Sequence, residues 1–194
     1  MASNSETTWE VEQKYSVGER RSLERALQAS GFELQREEAH RDLYFRHPCR
    51  DFRQTDEAFR LRQVNEDLVV TYKGPRADAE VKTRPETELG LRANEFTDWV
   101  GMLGQLGFEP LPEVRKSRQV FGCVVEGKRP FVVTIDQVEE LGLFAEVELL
   151  VRIEADLGSA QDQVVELAHS LGLKTVERKS YLALLLQKLN HPLA

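Results

Sequence analysis

The sequence predicts an α+β fold built on an antiparallel sheet, and three observations predict it. Eight stretches alternate apolar and polar residues with a period of two, the repeat of a strand whose side chains point to opposite faces. Three others repeat with helical spacing and stop at a glycine. Most connections between the alternating stretches are too short for the crossover that parallel neighbours need, so the strands pair antiparallel.

The strands are expected near residues 8–16, 36–46, 57–64, 67–74, 79–91, 113–122, 130–138 and 142–153. The first helix runs over Arg20 to Ser30, with Leu23, Ala26 and Leu27 on one stripe and Gly31 as its stop. The second takes Asn94 as its N-cap, carries Phe96, Trp99, Val100 and Leu103, and ends at Gly107. In the third, Ser159 is the cap, Asp162 follows three residues on, and Val164, Val165, Ala168 and Leu171 lead to Gly172. A short fourth helix follows Tyr181 and uses Leu182, Leu185 and Leu186. The first three helices end alike, in Ser30-Gly31-Phe32, Leu106-Gly107-Phe108 and Leu171-Gly172-Leu173: a helix stop followed by a strand start.

Composition narrows the function classes. Among 194 residues, 33 acids and 26 bases give a formal charge of −7, and 41% of the chain is apolar, which is too much for a disordered one. No apolar run approaches the ~18 residues of a membrane-spanning helix. Met1 to Thr8 has neither a basic nor an apolar targeting segment. The negative balance weighs against a duplex-binding protein, whose footprint is basic, yet a local basic pocket can still hold an anion. Cys49 and Cys123 form no C-x-x-C unit, so a reducing, cytoplasmic setting is expected.

The charges on the strands are sorted by sign. Glu10, Glu12 and Lys14 share a face against Trp9, Val11 and Tyr15. Arg60 pairs with Arg62, Thr71 with Lys73, Lys116 with Arg118, and Glu146 with Glu148, while Lys82, Arg84, Glu86 and Glu88 follow one another along one face. A solvated face explains any one strand. Taken together the pure pairs need opposite neighbours or a ligand, because like charges on one face repel. A closed barrel with charges inside and the helices packed outside supplies both. Eight bases (Lys14, Arg60, Arg62, Lys73, Lys82, Arg84, Lys116 and Arg118) exceed what one carboxylate needs and suit several phosphates. The acids Glu10, Glu12, Asp136, Glu146 and Glu148 would repel phosphate unless a hard cation such as Mg²⁺ or Mn²⁺ stood between.

The run Glu10-Val11-Glu12-Gln13-Lys14 is an E-x-E-x-K motif, and it resembles the CYTH superfamily, the triphosphate tunnel metalloenzymes. The remaining motifs follow in family order: Arg60-Leu61-Arg62, Thr71-Tyr72-Lys73-Gly74-Pro75, Arg84-x-Glu86-x-Glu88, Arg115-Lys116-Ser117-Arg118, Ile135-Asp136, Glu146-Val147-Glu148 and Lys179-Ser180-Tyr181. Asp42-Leu43-Tyr44-Phe45 and the stretch from His47-Pro48 to Glu57 look most like the class IV adenylate cyclase branch; Arg46 departs from it, standing where many relatives carry an acid. The resemblance implies an eight-stranded antiparallel barrel spanning residues 9–194 as one CYTH domain, after a flexible segment 1–8. It implies that Lys14, Arg60, Arg62, Lys73, Arg84, Lys116 and Arg118 hold the triphosphate, with Lys82 a weaker match. Glu10, Glu12, Asp136, Glu146 and Glu148 would hold Mg²⁺ or Mn²⁺, and Glu12, Lys14, Asp136 and Glu146 would carry the chemistry. Glu86 and Glu88 would orient arginines.

The substrate so implied is ATP, tripolyphosphate or thiamine triphosphate, with no membrane or nucleic-acid duplex as partner and a homodimer as the assembly. Three readings stay open: a class IV-type adenylate cyclase, an inorganic or thiamine triphosphatase, and a non-catalytic polyphosphate- or nucleotide-binding module. The chain has no P-loop and no G-x-S-x-G elbow, and its four histidines do not cluster. Trp9 and Trp99 read as packing residues, and Tyr181 as packing or as the cap of a tunnel mouth.

Overall fold

The computed structural model describes residues 9–75, 86–123, 131–151 and 156–189, with Trp9 and Glu10 described through their backbone. In chain order the elements are β1 (Trp9–Ser16), α1 (Arg20–Ala29), β2 (Glu33–Arg46), β3 (Ala58–Val64), β4 (Asp67–Lys73), β5 (Glu86–Leu91), a 3₁₀ turn (Ala93–Glu95), α2 (Phe96–Gln105), β6 (Glu109–Pro110), β7 (Val114–Gly122), β8 (Phe131–Val138), β9 (Gly142–Val151), α3 (Leu157–Ser170), β10 (Thr175–Val176) and α4 (Tyr181–Lys188). The class is the expected one, an antiparallel sheet with four helices. The hydrogen-bonded order is β10-β1-β9-β8-β7-β2-β3-β4-β5, with β6 on β2. The eight longer strands are those the alternation predicted. Among the described residues the sheet has ten strands rather than eight, because β6 and β10 add two residues each, too few to show a period. Of the strand expected over 79–91, residues 79–85 lie outside the described residues.

The chain forms two compact units. The first comprises Met1–Glu37, Arg118–Gln137 and Gly142–Arg178. Its spine is the β1–β9 ladder, running from Trp9 opposite Val151 to Ser16 opposite Phe144. One face of β9 is sealed: Ala145, Val147 and Leu149 have no exposure, and α3 packs on β1 and β9 with Ala160, Val164 and Ala168 buried. Each such aliphatic side chain stabilises the fold by roughly 1.5–3 kcal/mol if valine-sized or larger. Burial raises the pKa of Tyr15, on the same side of β1.

The second unit comprises Glu38–Ser117, Val138–Leu141 and Lys179–Ala194. Its core gathers Leu43, Phe45, Leu61, Leu68 and Val70 of β2 to β4 with Phe96 and Leu103 of α2, and Trp99 packs against it. The β3–β4 hairpin turns at Asn65, whose φ of 51° is one asparagine tolerates. Asn65 also bonds Ala39 twice: its amide N–H donates to the Ala39 carbonyl and its Oδ1 accepts from the Ala39 N–H, both at 2.9 Å.

The three glycine stops are one motif made three times. Gly31, Gly107 and Gly172 take φ of 81°, 87° and 78°. In each case the following residue donates back across six residues: Phe32 to Leu27, Phe108 to Leu103 and Leu173 to Ala168, at 2.9–3.0 Å. This is the Schellman closure, which needs a left-handed residue that only glycine adopts at no steric cost.

Two helix starts differ from the sequence expectation. Asn94 lies inside the 3₁₀ turn rather than capping α2, because the Glu95 carboxylate reaches back to the Arg92 N–H at 3.3 Å and closes that turn first. Ser159 is not the cap of α3. The helix starts at Leu157, whose burial draws the chain in three residues earlier, and the Ser159 hydroxyl accepts from Gln163 Nε2 at 3.0 Å instead. In α4 the Ser180 hydroxyl caps the helix by accepting from the Ala183 N–H at 3.2 Å.

Candidate active site

In the second unit the period of the strand puts Arg60 and Arg62 of β3 on one side and the fully buried Leu61 on the other. Register then sets Asp42 of β2 directly opposite Arg62, and Tyr44 opposite Arg60. Arg62 donates through Nε to Asp42 Oδ1 at 2.7 Å and through Nη2 to Oδ2 at 2.6 Å, a two-pronged charged fork. Arg60 is held more loosely. Its Nη1 lies 3.5 Å from the Tyr44 hydroxyl and 3.8 Å from Asp42 Oδ2, and its Nη2 lies 3.9 Å from Glu88 Oε1. Among the described residues its buried Nε has no hydrogen-bond partner. On β4 and β5, Thr71 donates to Glu88 at 2.9 Å and Lys73 to Glu86 at 2.8 Å. Lys116 of β7 is buried, with its ammonium 5.1 Å from the centroid of the Tyr181 ring, a cation–π contact.

Three of the predicted phosphate ligands thus surround one aspartate. Burial pushes the Asp42 pKa up, but the Arg62 fork and the charges of Arg62, Arg60 and Lys116 together bring it below the ordinary carboxylate value. Asp42 stays ionised, and three cations beside Asp42 and Glu88 leave a positive surplus.

The first unit holds the opposite balance. The β1–β9 register sets Lys14 opposite Glu146, Glu12 opposite Glu148 and Glu10 opposite Leu150. Arg118 grips the fully buried Asp136 with Nε to Oδ1 at 2.7 Å and Nη2 to Oδ2 at 2.6 Å, and Nη2 also donates to Glu146. Asp136, expected beside the metal ligands, turns both oxygens to Arg118. Glu12 and Glu148 face each other directly across the ladder, a like-charge pair that destabilises a sheet. Among the described residues no three His, Cys, Asp or Glu side chains gather into a metal cluster. The facing pair nonetheless fits a hard divalent ion of the Mg²⁺ kind, which takes one or two carboxylates and completes its shell with phosphate oxygens and water.

Lys82 and Arg84 lie outside the described residues. Arg46, the departure from the family pattern, sits opposite Glu109 of β6 with Nη1 3.8 Å from its carboxylate, a surface pair. Sequence reasoning assigned no role to Asp42, and only cross-strand register reveals one. It also gave no role to Glu113, which accepts from both Arg41 and Arg115 while Arg41 lies 4.0 Å over the Phe96 ring. The Arg41 and Arg115 hydrogen bonds hold the Glu113 pKa below its ordinary value.

The sequence profile of the CYTH domain matches residues 9–181, which includes every strand and nearly all of the charged ladder described above. This chain belongs to the CYTH domain family. One CYTH relative, "Putative adenylate cyclase MJ0240" of Methanocaldococcus jannaschii, is 33% identical over 177 residues, covering 90% of this chain and 97% of the relative. "Adenylate cyclase CyaB" of Aeromonas hydrophila is 28% identical over 186 residues, covering 93% and 91%. Among solved structures, the PH1819 protein of Pyrococcus horikoshii OT3 matches with a TM-score of 0.77 and 36% identity, over 93% of this chain and 99% of that one. Among the described residues, no helix of this CYTH protein is long and apolar enough to cross a membrane.

Proposed function

We propose that this chain is a divalent-metal-dependent adenylate cyclase of the class IV type, converting ATP to cyclic AMP and pyrophosphate. The observation that carries the phosphate part is the convergence of Arg60, Arg62 and Lys116 on Asp42, with the buried Nε of Arg60 lacking a partner among the described residues. A buried donor of this kind is rare in a native protein, and a phosphate oxygen is a partner that would satisfy it. The cyclase part rests on the two relatives named as adenylate cyclases, each matched over nine-tenths of its length.

In this reading Arg60, Arg62, Lys73, Arg84 and Lys116 hold phosphate oxygens, and their charges stabilise the negative charge that builds on the phosphates as the leaving group departs. Glu10, Glu12, Glu146 and Glu148 hold Mg²⁺ or Mn²⁺, which when bound neutralises phosphate charge and makes the phosphorus more open to attack. Asp136 keeps the Arg118 guanidinium fixed, and Lys14, opposite Glu146, supplies a further cation beside the acids. The bond formed joins the ribose 3′-oxygen to the α-phosphorus, and the bond broken releases pyrophosphate.

The test is incubation with ATP, and separately with tripolyphosphate, in the presence of Mn²⁺, followed by product identification. Cyclic AMP with equimolar pyrophosphate is the expected outcome. Orthophosphate without cyclic AMP would make the protein a triphosphatase, and binding without products a polyphosphate-binding module.

A further inference from the structure

Asp42 lies among the predicted phosphate ligands but is not shaped to be one. It is 3% exposed, whereas the Arg62 side chain is 22% exposed, so of this pair the arginine is the half within reach of a ligand. A carboxylate would in any case repel phosphate. Its two oxygens take the Nε–Nη2 edge of Arg62, at lengths typical of strong charged bonds. Arg60, on the same face two residues away, shows what an arginine looks like here without such a grip: among the described residues, the side-chain oxygens it meets are 3.5–3.9 Å away.

We propose that Asp42 is a positioning residue for triphosphate turnover. It fixes Arg62 by one edge so that the guanidinium meets phosphate with the edge that Asp42 does not use. Arg62 is thereby ordered before the ligand arrives, while Arg60 completes its hydrogen bonds on the ligand itself. The gain is in geometry, because a misplacement of about 1 Å at a reacting centre costs on the order of a hundredfold in rate. The inference rests on the phosphate-binding reading of this cluster, and it holds for cyclase and triphosphatase alike.

The experiment compares wild type with Asp42→Asn, Arg62→Lys and the double variant. It reads kcat as ATP consumed to any product, and reads affinity by calorimetry with tripolyphosphate. Asp42→Asn is expected to lower kcat by roughly 10- to 100-fold. Tripolyphosphate affinity should hold or tighten, because a repelling charge has gone. A residue of purely structural importance would not split the two quantities in that way. Arg62→Lys keeps the charge but cannot make the fork, and is expected to lose a similar factor in kcat. The double variant should be no slower than the slower single one, since both changes remove one arrangement. Wild-type kcat in Asp42→Asn, or losses that multiply in the double variant, would overturn the inference. If Asp42→Asn does not fold, Arg62→Lys decides alone, and wild-type kcat there overturns it. A wild type that binds no tripolyphosphate, or turns nothing over, removes the underlying reading before any variant is compared.

Discussion

The two units carry the same small device in opposite company. In the second, a buried aspartate grips Arg62, and the neighbours are Arg60 and Lys116. In the first, a buried aspartate grips Arg118, and the neighbour on the same guanidinium is Glu146, on a strand whose Glu148 faces Glu12. An Asp–Arg fork is neutral as a pair, so it sets geometry and leaves the sign of the region to the residues around it. In the proposed reading one unit thereby takes the anion and the other the cation, without any change in how the arginine is held.

The largest expected effect breaks or keeps that contrast outright. Excess chelator should abolish turnover, and added Mg²⁺ or Mn²⁺ should restore it, because the proposed role of the acids of the first unit is to hold a hard divalent ion. Full activity in chelator would reduce the acids of the first unit to partners of Lys14 and Arg118. Next comes Glu146→Gln, which keeps shape and removes charge. Its turnover should fall by on the order of a hundredfold or more, as for loss of a transition-state electrostatic group. Tripolyphosphate affinity should change less, and steady-state kinetics beside calorimetry measures both. Equal losses in the two would assign Glu146 to binding rather than chemistry.

The basic side of the contrast is read by stability. Tripolyphosphate relieves repulsion among Arg60, Arg62 and Lys116, so it should stabilise the fold by about 2.7 kcal/mol at a hundredfold excess over its dissociation constant. Thermal melting with and without the ligand checks this, and an unchanged midpoint at saturating ligand would count against a polyphosphate site. The smallest effect compares the helix stops. Alanine at Gly31 or Gly107 should cost about 1–2 kcal/mol for the left-handed backbone. Gly107→Ala should cost more, because its new Cβ would stand 3.2 Å from Pro48 Cβ whereas at Gly31 nothing lies within 4 Å. Denaturant titration of the two variants gives the difference.

Much of this arrangement was legible in the chain. Strand alternation placed Arg60 with Arg62 and Glu146 with Glu148 because the period of a strand is a local property. The glycine stops were legible because few other residues tolerate a positive φ. Asp42 was not, since its meaning comes from Arg62 twenty positions away and only the β2–β3 register brings them together. Asn94 misled because Glu95 closes a 3₁₀ turn on the Arg92 N–H first, and Ser159 because a cap competes with burial nearby: Leu157 entered the core and moved the start of α3. The strands β6 and β10 exist through pairing alone, with no pattern of their own.

The facing acids of β1 and β9 bear on how the chain folds. Sliding β1 by two residues would keep every side chain on its own face, yet set Lys14 opposite Glu148 and Glu12 opposite Leu150, abolishing the acid–acid contact. Counted over these facing pairs alone, charge favours that neighbouring alignment over the native one. The native alignment is held by the bond from the Val17 N–H to the Leu143 carbonyl at 2.9 Å, just past the end of the ladder, and by α3 packed across both strands. This is frustration of a defined kind, a local preference overruled by the rest of the fold. A cation bound by Glu12 and Glu148 would remove it, so such an ion would select the correct strand alignment during folding as well as serve the finished protein.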